Sequence, residues 1–473
     1  MLLPGEVGMD DGHIELRSAR GRWVLAATVL GSGLALLDST VVNVALPFLG
    51  TELDAGMSGL QWTVNAYTLT LAGLILLGGS LGDRFGRRRV FLIGTVWFAL
   101  ASALCAAAPT IEFLVVARAL QGVGGALLTP GSLAIIQASF AKADRPRAIG
   151  AWSGLGGVAS AVGPLLGGAM VQTIGWRWAF LINLPFAALV LLVAARHVPE
   201  SRDEQAAGRF DVLGSVLAAL SLAGITYGLI ELDAPVPLVV GVLLGAAFVV
   251  LERRRSPGAL VPVGLFADRV FTSVNVVTLV MYGAMGVVFF LLAVQLQVVS
   301  GFSPVAAASA MLPVTALMLL LSPLAGELAR RHGPRWPMTG GIALAGAGFV
   351  LMSSIGPDAS YGLQVLPAVT VFGLGLSAAV APLTATVLAT VEDRYAGTAS
   401  GVNNAVARTG GLLAVAAVPP LVGLVGDAFR DPVVFDAGFR VAMLASAAMM
   451  AVSALVTAAT IRGNVLDPQK VKA

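Results

Sequence analysis

Three ionisable residues interrupt runs that are otherwise apolar. Asp38 is the one charge in "GLALLDSTVVNVALPFL", residues 33–49, Arg118 interrupts "LVVARALQGVGGALL", and Arg408 interrupts "GVNNAVARTGGLLAVAA". Apolar surroundings push a carboxyl group toward its neutral form, and a neighbouring guanidinium pulls it back toward the anion. An aspartate held between those influences can load or release a proton when its surroundings change. Asp38 and Arg118 are therefore the candidate proton-coupling pair, and a static ion pair between two helices fits the same residues. Arg408 has no obvious carboxylate at its own depth, which leaves an anionic substrate group or a helix C-terminus as its partner.

The elements that must carry these residues follow from composition. Hydrophobic residues make up 57% of the 473, charged residues only 12%, and mean hydropathy is +0.88. An ordinary soluble domain carries about 25% charged residues, and a run of about 20 apolar residues crosses a bilayer as a helix. Such runs fall near residues 23–48, 60–81, 90–108, 113–136, 148–170, 178–195, 211–231, 237–251, 270–297, 304–328, 337–355, 361–388, 397–425 and 438–461. The expected fold class is an all-α polytopic membrane protein of about fourteen helices.

Basic residues set the orientation. Arg177, Arg430 and Arg440 fall on one side and Arg118 and Arg408 within helices, while the rest of the 29 Lys and Arg gather on the other side, in stretches such as "GDRFGRRR", "KADRPR" and "RRHGPR". By the positive-inside rule that side is cytoplasmic, and both termini with it. The basic residues form short separate loops, which argues against a nucleic-acid partner despite the pI near 9.3.

The chain repeats itself. "GSLGDRFGRRR" aligns with "GELARRHGPRW", and at the same offset "GAWSGLGGVASAVGPLLGG" aligns with "GTASGVNNAVARTGGLLAV". The expected division is a tail over 1–22, a six-helix bundle over 23–195, a linker with two additional helices over 196–269, a second six-helix bundle over 270–461 and a tail over 462–473. Two repeated bundles can rock against each other and expose a central site to either side in turn, as carriers do.

With these motifs in view, the chain resembles the major facilitator superfamily, and within it the fourteen-helix drug:proton antiporters of the EmrB/QacA type. "LDSTVVNVALP" is similar to the first-helix motif of that family, "GDRFGRRR" to the superfamily's loop between helices two and three, and "RALQGVGGA" to its fourth-helix motif. "GVASAVGPLLGG" is similar to the fifth-helix motif of exporters, and "GWRWAFLINLP" completes the set. The resemblance implies two six-helix bundles with two extra helices between them. It also implies a conformational latch at Asp83, Arg84, Gly86, Arg87 and Arg88, although charges that merely fix topology fit those residues too. Arg330 stands where the second half would repeat Asp83, so any latch is one-sided.

The resemblance further implies an antiporter hinge at Gly154, Gly163, Pro164, Gly167 and Gly168, against which stands an ordinary small-residue packing face. Ala159 departs from the family's glycine, and Gly411 replaces Pro164 in the second half. Candidate cavity residues are Trp62, Asn65, Tyr67, Gln121, Gln295, Gln297, Asn403, Asn404 and Arg408; interfacial anchoring and helix-to-helix hydrogen bonds explain such residues equally well.

No phosphate-cradling loop appears, and His13, His197 and His332 stand singly without metal-ligand spacing. Cys105 is the sole cysteine and reads as a small buried hydrophobe. No enzyme, metal or cofactor is expected, and the coupling ion is the proton. The expected function is export of lipophilic, cationic or amphipathic small molecules from a bacterial cytoplasmic membrane, in exchange for protons, by a monomer among membrane lipids. A cationic substrate and the proton would compete for Asp38. Alternatives are a carrier of sugars, siderophores or lipids, or a receptor or scaffold that has lost transport.

Overall fold

The computed structural model describes residues 14–202, 211–255, 261, 263–392, 395–463, 465 and 466. Residues 203–210, 256–260 and 262 of the expected linker, and most of both tails, lie outside them. The first half contains α1 (Ala19–Glu52), α2 (Met57–Phe85), α3 (Arg87–Ala106), α4 (Ile111–Ser139), α5 (Arg145–Thr173), and α6 (Trp178–Leu181) with α7 (Asn183–His197) as one broken span. A hairpin of α8 (Val212–Ile230) and α9 (Pro235–Arg255) follows.

The second half contains α10 (Arg269–Val294), which ends in a π turn over Gln295–Val299, then α11 (Pro304–Ser309) with α12 (Leu312–His332) as another broken span. It continues with α13 (Arg335–Met352), α14 (Leu366–Ala389), α15 (Ala396–Leu421) and α16 (Pro432–Thr460). Among the described residues, 12 spans are long and apolar enough to cross a membrane by themselves; the shorter α13, and α15 with Asn403, Asn404 and Arg408, are less apolar.

Local sequence sets the helix ends. Ser18, Thr110, Asp268 and Asp431 accept backbone N–H bonds as N-caps of α1, α4, α10 and α16. The Ser18 cap starts α1 four residues earlier than hydropathy suggests. The expected loop "GDRFGRRR" is almost entirely helical. Helix α2 runs through Phe85 and α3 begins at Arg87, so Gly86, at φ +109°, is the whole joint. Only glycine adopts that backbone readily. Helix α5 passes through Pro164 without a break.

Packing sorts the helices into two bundles. In the first, α1 lies on α5 and α7, and α4 on α2 and α3; in the second, α10 lies on α15 and α16, and α14 on α12 and α13. Helix α8 leans on both α2 and α15, so the hairpin straddles the seam.

Contacts across the seam are strongest at the ends away from the termini. There the Met57 N–H donates to the Gly426 carbonyl at 2.6 Å, and Arg430 reaches the Asp54 carboxylate at 2.7 Å and the Gly50 carbonyl at 3.2 Å. One turn deeper, the Gln61 amide donates to the carbonyls of Val415 and Ala416. Toward the terminal side, a Cβ on Gly150, Gly154 or Gly157 of α5 would meet nothing within 4 Å. This conformation is sealed on the far side, with that face of α5 unpacked.

Candidate functional site

Asp38 lies near the middle of α1 with no exposed surface. Its Oδ2 accepts from Arg118 Nη1 at 2.6 Å, and its Oδ1 accepts from Gln121 Nε2 at 2.7 Å and Asn183 Nδ2 at 2.9 Å. Arg118, 1% exposed, also donates through Nε to the Thr63 carbonyl and through Nη1 to Gln121 Oε1. Its guanidinium carbon stands 4.4 Å from the centre of the Tyr67 ring and 5.7 Å from that of Phe180. Ser102 accepts from both Gln121 and Asn183. Six elements of the first bundle thus converge on one carboxylate.

The helices present these residues by their periods. Arg118 and Gln121 are three apart on α4, hence on one face. Asn183 opens α7 just after the break at Ile182, which turns its amide inward. Asn183, Ser102 and the Thr63 carbonyl were not singled out from sequence. The signal for Asn183 was a lone amide inside "GWRWAFLINLP". Cys105 is buried as expected, and its Sγ also approaches Gln121 Oε1, at 3.6 Å.

Chemically, the cluster is a neutral charge pair with its hydrogen-bonding capacity almost filled. With three side-chain donors on Asp38, no edge of the carboxylate is open to a cationic substrate in this state. The direct competition expected from sequence therefore requires the pair to separate first. Protonating Asp38 would remove the charge that balances Arg118, leaving the guanidinium to Gln121, the Thr63 carbonyl and two aromatic rings.

The glycines of α5 sit next to this pair. A Cβ on Gly163 would come 2.4 Å from Thr40 Oγ1 and 3.4 Å from Leu37 Cα, and one on Gly167 would come 2.7 Å from Val41 Cγ1. These residues belong to the α1 turn that carries Asp38. Gly168 instead meets the Pro304 carbonyl of the other bundle. Pro164 lies within the same continuous stretch, and Gly154 has no neighbour.

Of the residues expected to form a latch, Asp83, Arg87 and Arg88 bond within their own half and to the segment just after α7. Asp83 pairs with Arg87 at 2.8 Å, and the Arg87 N–H donates to the Ser201 carbonyl. The Arg88 N–H meets Glu200, and its guanidinium meets the Val198 carbonyl. The Arg84 guanidinium lies 5.7 Å from the Phe85 ring centre. In the second half Glu327 is clamped by Arg330 and Arg331.

The structure scatters the expected cavity residues. Trp62 packs against Tyr227 of the hairpin, at 5.8 Å between ring centres. Gln295 ties the π turn to the Ile355 carbonyl and Asp436. Asn403 faces α10, donating to Asn275 and Thr278, and exposed Asn404 bonds the Ser400 carbonyl of its own helix. Trp62, Gln295 and Asn403 thus join neighbouring elements in this conformation. Gln297 donates to the Val44 carbonyl across the seam. Gln121 belongs to the Asp38 cluster, and Tyr67 shields Arg118. Asn65 is 1% exposed, and both of its amide atoms lack a protein partner. Arg408 is half-buried, and its enclosed Nε also lacks a partner. Among the described residues there is no cluster able to hold a metal.

Comparison with known proteins places this geometry in context. Residues 28–415 match the family model described as Major Facilitator Superfamily. The chain is 33% identical over 430 residues to the tetracenomycin C resistance and export protein of Streptomyces glaucescens, covering 89% of this chain and 80% of that one. It is 38% identical over 407 residues to the puromycin resistance protein pur8 of Streptomyces alboniger, covering 83% and 80%. Among solved structures, the peptide-transporter-family protein PepTSo superposes with a TM-score of 0.69 at 16% identity, over 92% of this chain and 97% of that one. A bacterial homologue of the human lysosomal transporter Spinster, in its inward-facing and unoccupied conformation, gives 0.66 at 17%, over 94% and 97%. At such identities these two likenesses speak to fold alone. The family match over most of the chain, and two bundles joined at a seam, lead to one conclusion: this multi-pass membrane protein belongs to the major facilitator superfamily.

Proposed function

We propose that this protein exports lipophilic small molecules from a bacterial cell in exchange for protons, by alternating access, with both termini in the cytoplasm. Relatives named for antibiotic resistance and export support the export direction. The gathering of basic residues on the terminal side supports the orientation. In that frame the conformation described above is sealed outside.

The observation that carries the reading is the Asp38 cluster: a membrane-buried acid, paired with a buried cation, beside α5 glycines packed on α1. An intramembrane ionisable residue is costly to insert and marks a proton or substrate path. In the proposed cycle Asp38 takes a proton from the outer side while its pair with Arg118 is open. The first bundle then closes on α1 and swings, and the proton leaves inward as Arg118 returns to the carboxylate. Gly163 and Gly167 couple the swing to Asp38, because a tilt of α5 must carry with it the turn of α1 that holds Asp38.

The test is dye export by cells or inverted vesicles carrying the protein, with and without an uncoupler. Export that stops when the proton gradient collapses agrees with antiport. Export that continues unchanged rejects it.

A further inference from the structure

Among the described residues, the membrane interior carries a positive charge without a partner. Asp38 and Arg118 cancel each other, whereas Arg408, near the middle of α15, makes no hydrogen bond or ion pair among the described residues. Two contacts fix the antiparallel register of α15 on α2: Gln61 against the carbonyls of Val415 and Ala416, and Gly401 against Leu76. Between them, Arg408 comes opposite the Asn65–Leu69 turn of α2. The phenols of Tyr67 and Tyr282 lie within electrostatic reach of its guanidinium, and among the described residues no carboxylate pairs with it.

The polar atoms around it are unsatisfied as well. Arg408 Nε, the Tyr67 hydroxyl and both amide atoms of Asn65 are enclosed without a protein partner. Buried polar groups are nearly always hydrogen-bonded, and a buried charge is nearly always paired. A guanidinium on α15 and the free amide of Asn65, one turn from Gln61 on the face of α2 that meets α15, come from one helix of each bundle and have the donors to hold an oxyanion, and a guanidinium binds one with charge-assisted bonds.

We infer that Arg408 is the substrate anchor of the central site, and that it takes the anionic oxygen of an acidic amphipath, such as a phenolate, carboxylate or sulfonate on an apolar body. This rests on the export reading for its setting and narrows the substrate class from lipophilic molecules in general to those with an acidic oxygen. It also separates the two buried arginines by role, Arg118 serving the proton and Arg408 the cargo. Tyr67 lies under the first and within electrostatic reach of the second, so an anion bound at Arg408 sits close to the Asp38 pair.

The test uses two probes with the same rings: 8-anilinonaphthalene-1-sulfonate, which carries an oxyanion, and N-phenyl-1-naphthylamine, which does not. Binding of each is measured to purified protein in nanodiscs, against empty nanodiscs. The wild type is expected to bind the sulfonate at least about tenfold more tightly, the scale of one charged hydrogen bond. Arg408→Gln removes the preference, and Arg408→Lys restores part of it. Because Arg408→Gln deletes an unpaired charge, it is expected to melt at or above the wild-type temperature.

Equal binding of both probes, no binding of the sulfonate, or an unchanged preference in Arg408→Gln overturns the inference. So does a collapse in melting temperature of Arg408→Gln, which would make the guanidinium a structural member. Proton-driven export of ethidium by inverted vesicles separates the two readings. If it persists while the sulfonate preference is absent, only this inference falls. If ethidium and both probes ignore the gradient while Arg408-dependent binding is present, the export reading falls and the anion site stands.

Discussion

Asp38 and Arg118 meet at 2.6 Å, and neither exposes more than 1% of its surface. Such a pair adds little net stability, because taking two charges out of water costs about as much as their attraction returns. Breaking it is another matter, since the survivor is left buried and unbalanced. The arrangement is thus poorly suited to stiffening a bundle and well suited to switching, because one proton changes the charge state of the whole cluster.

The first prediction concerns that asymmetry. Asp38→Asn and Arg118→Gln should each lower stability by about 3–5 kcal/mol, whereas the double variant should cost much less than the sum. Thermal or denaturant unfolding of the four proteins forms a double-mutant cycle and measures the coupling. Additive losses would show that the two residues do not act as a pair.

The joint between α2 and α3 supplies the second. Gly86 holds φ +109°, and a Cβ there would lie 2.6 Å from Glu200 Oε1. Gly86→Ala should therefore destabilise the protein by about 1–3 kcal/mol through backbone strain and displacement of Glu200. Unfolding measurements would check this, and a neutral substitution would mean the joint relaxes easily.

How much of this was legible in the sequence depends on the residue type. Asp38 and Arg118 announced themselves, because a charge in an apolar run has few innocent explanations. The fourteen spans were readable for the same reason, with α15 recognisable despite its polar residues because α10 and α2 cover them. Asn183 and Ser102 stayed hidden: uncharged polar side chains are common in membrane helices, where many bond only their own backbone, as Thr95 does to the Phe91 carbonyl. The one-residue joint at Gly86 was also missed, since charged residues at a membrane surface look like loop whether or not the helix continues. The packing partners of Trp62, Gln295 and Asn403 were not legible, because sequence does not say which neighbour a helix face meets.

A third prediction addresses the far-side seal. Hydrogen bonding to Asp54 holds the Arg430 guanidinium above its already high ordinary pKa. A raised basic group keeps its contribution as pH rises toward that value, so the seal should hold from neutral to alkaline pH and weaken with salt. Arg430→Ala should shift the population toward the far-side-open state by a small factor, as exposed pairs do. Distances between spin labels on the far ends of α2 and α15 would report it.

The glycines of α5 give a fourth. Gly168→Val thrusts a side chain toward the Pro304 carbonyl, at 2.8 Å already for Cβ, whereas Gly154→Ala meets no neighbour in this state. The first should disfavour the far-side-sealed conformation. The second should leave that conformation intact and disfavour the opposite one, in which α5 is expected to pack at its terminal end. The same spin-label distances would separate the two, and identical shifts in both variants would refute state-selective packing.

The account as a whole turns on whether Asp38 carries the exchanged proton. Purified protein in weakly buffered solution, given a transported dye, should release protons on binding in the wild type and none in Asp38→Asn, with both proteins folded and binding the dye. Equal proton release from the two would contradict it.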